Sequence, residues 1–107
     1  MKIFNSLTAK KEIFKPKNEN EITIYVCGLT PYDDVHIGHA RTFINFDVIV
    51  KFFKFLGFKV RYIRNITDVD DKIIKRAKEE GIPALKYSEK YIKEMHDDFL
   101  SLGIESP

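Results

Sequence analysis

The chain has 107 residues, 44% hydrophobic, 32% charged and 13% aromatic, which suits one small domain with a real core and excludes two independent ones. Eighteen Lys and Arg against sixteen Asp and Glu leave a formal net charge of +2, too balanced to identify a nucleic-acid partner by itself. A single cysteine excludes an internal disulfide framework, and with no secretory leader and no run of about 18 apolar residues, a cytoplasmic protein with no membrane partner is expected.

Two short apolar pieces, Ile3-Phe4 and Ile13-Phe14, are separated by polar residues and followed by a loop bearing Pro and Asn, which predicts a small hairpin. From Ile22 to Gly28, "ITIYVCG" alternates β-branched and aromatic residues and stops at glycine. This predicts a buried strand that delivers Cys27 to its carboxyl end. A helix is expected from Ala40 to Leu56. Phe43, Phe46, Ile49, Val50, Phe53 and Leu56 form one stripe, Ile44, Val48 and Phe52 widen it, and only Asp47, Lys51 and Lys54 make a clear polar face. A helix so apolar should be buried on several sides, between a sheet and other helices, with Gly57 as its C-terminal cap.

Alternation resumes in "KVRYIRNI", Lys59 to Ile66, with Val60, Tyr62 and Arg64 on one face and Arg61, Ile63 and Asn65 on the other. Strand, helix and strand in succession imply parallel pairing through a right-handed crossover. In "TDVDDKIIKRAKEEG", Thr67 and Asp68 are cap candidates, Asp70 and Asp71 first-turn acids and Gly81 the stop of the next helix. Pro83 suits the first position of a closing amphipathic helix carrying Tyr91, Ile92, Met95, Phe99 and Leu102, with His96 toward solvent. The fold class is therefore α/β: part of a Rossmann-like nucleotide-binding fold, residues 1–107 supplying parallel strands and flanking helices. An open sheet of this kind leaves an exposed edge.

Chemistry concentrates in "YVCGLTPYDDVHIGHARTF", Tyr25 to Phe43. His36 and His39 flank a glycine between a strand and a helix, a setting in which the helix N-terminus favours an anion, Gly38 permits close backbone approach and imidazoles donate to phosphate oxygens. Such a site accelerates displacement at phosphorus by positioning and charge stabilisation, without a nucleophile. The plainer reading of His-x-x-His at a helix start is capping. A zinc protease is disfavoured, because its helical histidines are spaced four apart around a glutamate. Cys27 is by default a small buried residue, and otherwise a nucleophile or one zinc ligand. Asp68, Asp70 and Asp71 read as helix-start acids before they read as a metal cluster. Thr67, at the end of the second strand, should face the same rim as Cys27 and is the better substrate contact. Lys72, Lys75, Arg76 and Lys78, with acids between them, read as a solvated face.

These residues carry a resemblance. "YVCGLTPYDDVHIGHARTF" followed by "VRYIRNITDVDDKIIKRA" closely resembles the cysteinyl-tRNA synthetase family of class I aminoacyl-tRNA synthetases, along the chain from Met1 to the last helix. The cysteine ligase of mycothiol biosynthesis is similar over the same stretch, but Arg41 and Lys72 look more like the synthetase. The resemblance implies ligase activity: L-cysteine activated by ATP with magnesium to an adenylate, then transferred to tRNA(Cys). It implies that Cys27 is the first of four zinc ligands, the zinc taking the substrate thiolate. His36 and His39 would be catalytic and, with Gly38 and Thr30, would bind ATP, while Gly28, Thr30 and Thr67 would line the amino-acid pocket.

The family's lysine-rich triphosphate loop, the remaining zinc ligands and the anticodon-binding region do not occur in these residues. The chain is thus expected to be the amino-terminal part of a catalytic domain, with a carboxy-terminal part as a partner and little or no activity alone. The alternatives are a non-catalytic nucleotide-binding remnant and a stand-alone nucleotidyltransferase; Cys27 and "NITDVDDK" speak against the last.

Overall fold

Alternation of β-branched residues after the Pro16 loop fixes a central strand, and the remaining elements are placed by what they bury against it. A computed structural model describes residues 1–107. Strands β1 (Lys2–Asn5) and β2 (Lys10–Ile13) form an antiparallel hairpin. They are followed by β3 (Glu21–Val26), α1 (Ile37–Phe55), β4 (Lys59–Arg64), α2 (Asp71–Glu80) and α3 (Ala84–Ser101). β3 and β4 pair in parallel, in register from Glu21 opposite Lys59 to Val26 opposite Arg64. The crossover must carry the chain back along six residues of strand, roughly 20 Å, and 19 residues of helix at about 1.5 Å each span it.

One face of this pair carries the core. Ile22 and Val26 are buried and Ile24 half-buried, while Thr23 and Tyr25 point outward. Val26 joins Phe43 of α1, Met95 and Phe99 of α3 and Ile104 beyond it in one cluster, with the Phe43 and Phe99 rings 5.0 Å apart. A second cluster, Ile73, Ala77 and Tyr87, forms where α2 meets α3. There the Tyr87 hydroxyl donates to the Tyr32 carbonyl at 3.0 Å, and burial pushes its pKa up to about 12. No helix is long and apolar enough to cross a membrane.

Several sequence expectations need correction. α1 begins at Ile37 rather than Ala40, because the His36 side chain caps it and brings the next three residues into the helix. α2 is capped by Asp70, whose carboxylate accepts from the Lys72 N–H at 2.9 Å, so Thr67 and Asp68 lie outside the helix. Pro83 takes the cap position of α3 rather than the first helical one, and Ile104, not Leu102, closes the core. β3 is buried on one face only, and α1 is buried along one stripe, Phe43, Asp47, Val50 and Phe53. Its outer side leaves Ile44, Val48, Ile49 and Phe52 between 38% and 59% exposed. β3 and β4 have no further neighbours, so the outer edge of each is open.

Asp47, read from sequence as part of a polar face, is 6% exposed. One carboxylate oxygen accepts from the Glu105 N–H at 2.8 Å and the other from Lys51 Nζ at 2.7 Å. Lys51 also donates to the Gly103 carbonyl at 3.0 Å, and Lys54 pairs with Glu105. Asp47 therefore fastens the segment after α3 across α1 and seats Ile104. Asp47→Ala should lower unfolding free energy by about 2 kcal/mol, the scale of a hydrogen bond to a charged group, in urea titration. It should also release residues 103–105 to fast amide exchange, whereas a fully protected segment would contradict the latch.

Candidate functional site

At the carboxyl ends of the parallel strands, where open α/β sheets place their ligands, lies a cavity of about 370 Å³. Cys27, Gly28 and Thr30 line it from the loop after β3, His36 from the cap of α1, and His39, Thr42 and Phe43 from α1 itself.

Two loops meet at this rim. The Gly28 N–H donates to Asn65 Oδ1 at 2.8 Å, and the Tyr25 hydroxyl donates to the same oxygen at 2.9 Å. Asn65 Nδ2 in turn donates to Thr67 Oγ1 at 3.3 Å, and the Thr67 N–H to the Leu29 carbonyl at 3.2 Å. A Cβ on Gly28 would sit 1.7 Å from the Asn65 carbonyl oxygen, so only glycine lets the loops approach this closely. Asn65 is thus the bridge of the site, which sequence reasoning passed over as the last residue of a strand face; the signal was an amide directly after an alternating run. Thr67 stands at the rim on the second loop, its Oγ1 accepting from Asn65, outside the residues that line the cavity.

The two histidines carry out the capping and also face the cavity. His36 sits in extended backbone, and its Nδ1 accepts from the Gly38 N–H at 3.1 Å. His39 Nδ1 accepts from the His36 N–H at 3.3 Å, which closes a reciprocal capping box. The rings stack with centroids 3.8 Å apart. Because each Nδ1 accepts, each neutral ring carries its proton on Nε2, leaving two Nε2–H donors at a helix N-terminus. A Cβ on Gly38 would lie 2.9 Å from His36 Cε1, so a larger residue there would push the His36 ring from its capping position.

Burial, and secondarily the charge of His36, push the His39 pKa below its ordinary value. Cys27 is exposed rather than buried, so it is available at the cavity. No three of the chain's His, Cys, Asp and Glu side chains come together in a group that could hold a metal ion. The residues present therefore do not by themselves fit a zinc ion, and Asp68, Asp70 and Asp71 do not form a metal cluster.

Two expectations are testable on the chain. Gly28→Ala should cost about 1–3 kcal/mol of stability by forcing the loops apart, read as a lowered unfolding midpoint; an unchanged midpoint would show that the approach relaxes freely. By NMR titration His39 should show a midpoint below 6.5, rising in His36→Asn, which keeps a capping side chain. The folded chain then binds this proton more weakly than the unfolded one. Stability accordingly falls as pH drops through the region just below 6.5, and His39→Gln should remove that slope.

Residues 13–107 match the family described as tRNA synthetases class I (C) catalytic domain. Over all 107 residues the chain is 56% identical to a "Cysteine--tRNA ligase" of Actinobacillus succinogenes and 54% identical to proteins of the same name from Klebsiella pneumoniae and Salmonella arizonae. It covers all of its own length but spans 23% of the length of each of these relatives. With a parallel strand pair, a crossover helix and a histidine-capped rim in the same residues, the chain belongs to the class I tRNA synthetase catalytic domain family of the cysteine type.

Proposed function

We propose that this chain is the amino-terminal part of the catalytic domain of a cysteine–tRNA ligase, an ATP-dependent enzyme of protein synthesis acting in the cytoplasm. The observation that carries the reading is the stacked pair His36 and His39, which caps α1 and lines one cavity with Cys27 and Gly28. In the reaction the carboxylate oxygen of L-cysteine attacks the α-phosphorus of ATP. A phosphorus–oxygen bond forms, the bond to the bridging oxygen breaks, and pyrophosphate leaves carrying the electron pair. A hydroxyl at the 3′ end of tRNA(Cys) then attacks the carbonyl carbon of the adenylate, an ester bond forms, the acyl–phosphate bond breaks and AMP leaves.

The Nε2–H donors of His36 and His39 and the start of α1 supply positive potential to the oxygens that gain charge in the first step. Magnesium accompanies ATP as part of the substrate. Gly28 and Thr30 offer contacts to cysteine at the rim. Thr67 acts through Asn65, holding the loop that presents Gly28. Cys27 stands exposed at the rim, where its sulfur would serve as one ligand if a zinc ion were bound with further ligands of a complete ligase. The non-catalytic reading is met by the same rim, and activity separates the two.

Cysteine-dependent exchange of pyrophosphate into ATP tests the proposal. The chain alone should show none above background; joined to the remainder of the Klebsiella pneumoniae ligase it should exchange. In that complete enzyme His39→Asn should lower kcat by about 10²- to 10³-fold with little change in the KM for cysteine. Full kcat in the variant would sink the assignment of the histidines, and charging of an amino sugar instead of tRNA would move the protein to the mycothiol branch.

A further inference from the structure

Residues 27–36 join β3 to α1 and carry Cys27, Gly28, Thr30 and the capping His36. Both ends of this loop are fastened: the Gly28 N–H and the Leu29 carbonyl bond to the second loop, and His36 belongs to the cap. In the middle, Pro31 brings no N–H, and the Tyr32 N–H folds back to the Thr30 carbonyl at 3.0 Å in a turn centred on that proline. One hydrogen bond ties residues 30–35 to the rest of the chain, from the Tyr87 hydroxyl to the Tyr32 carbonyl at 3.0 Å. The donor is itself held in place. Tyr87 is 2% exposed, packed with Ile73 and Ala77 of α2, its ring 5.0 Å from that of Tyr91. The Tyr32 ring packs against the same cluster and also lines the cavity. Asp33 meets Arg76 at 3.8 Å, but both side chains are more than half exposed, and such a pair contributes little.

We propose that Tyr87 is a positioning residue of the ligase site: through the Tyr32 carbonyl it sets the path of residues 30–35, and with it the separation of Thr30 from His36 across the cavity. Tyr87 does not line the cavity, and neither does any residue of α2 or α3, so the effect passes through the loop alone. Thr30, offered to cysteine, precedes Tyr32 in the chain, and His36, offered to phosphate, follows it. Slack at Tyr32 therefore changes the distance between the two reacting partners, and a displacement of about 1 Å costs on the order of 100-fold in rate. The pair α2 and α3 becomes the frame against which the loop is set. The proposal rests on the ligase reading.

Tyr87→Phe removes the donor and keeps the ring. In the complete enzyme of the exchange assay, at a temperature where the variant is folded, it should lower kcat by about ten-fold and leave the KM for cysteine within about two-fold. Asp47→Ala, which loosens the segment after α3 without touching the loop, is the control for lost stability and should keep kcat within about two-fold. On the 107-residue chain, NMR should show the Tyr32 carbonyl carbon and the amides of residues 30–36 shifted in Tyr87→Phe and unmoved in Asp47→Ala. Unchanged kcat in Tyr87→Phe, an equal loss in both variants, or loop resonances that stay in place would overturn the proposal. Exchange by the unsubstituted enzyme with a Tyr87→Phe variant just as fast removes this role alone. No exchange by the unsubstituted enzyme removes the ligase reading and this role with it.

Discussion

The approach of two backbone loops at Gly28 is the constraint on which the rest of the site depends. Parallel register brings the ends of β3 and β4 level, and the absence of a side chain at Gly28 lets the Asn65 backbone close to a distance that no Cβ would permit. Asn65 then ties three points together, the Gly28 amide, the Tyr25 hydroxyl and the Thr67 hydroxyl. Every later element inherits its position from this seam. α1 starts where the loop from β3 delivers it, and Phe43, nearly two turns in, is at once a cavity wall and a core residue against Phe99.

Behind the seam, Arg64 lies against the paired rings of Phe43 and Phe99, its guanidinium 4.8 Å and 4.9 Å from the two ring centroids. A cation there exploits ring faces that neutral packing leaves unused. Its Cγ would lie 3.3 Å from a Cβ on Gly28, so the same residue braces the site from below and links it to α3.

Legibility from sequence followed the range of the interactions. Strand–helix–strand order and the parallel pairing are local pattern plus one chirality rule, and the elements formed where alternation and helical stripes placed them. The grouping of the histidine motif with Cys27 and Gly28 at one rim was legible because these residues are near neighbours in the chain. Its detailed form was not, since reciprocal capping depends on side-chain rotation, and it moved the start of α1 to Ile37. Asp47 was misread for a long-range reason: its partner is the Glu105 amide, 58 residues on. Asn65 escaped for the same cause, since it joins two loops that only the tertiary fold brings together. The outer side of α1 was misread differently, because apolar pattern records what a surface is suited to bury and not which partner is present.

That outer side has a consequence in time. Ribosomes add about 5–20 residues each second, so in a protein of the relatives' length, of which this chain is 23%, synthesis of the remainder takes on the order of tens of seconds. Through that interval Val48, Ile49 and Phe52, with the open edges of β3 and β4, stand in water on an otherwise formed unit.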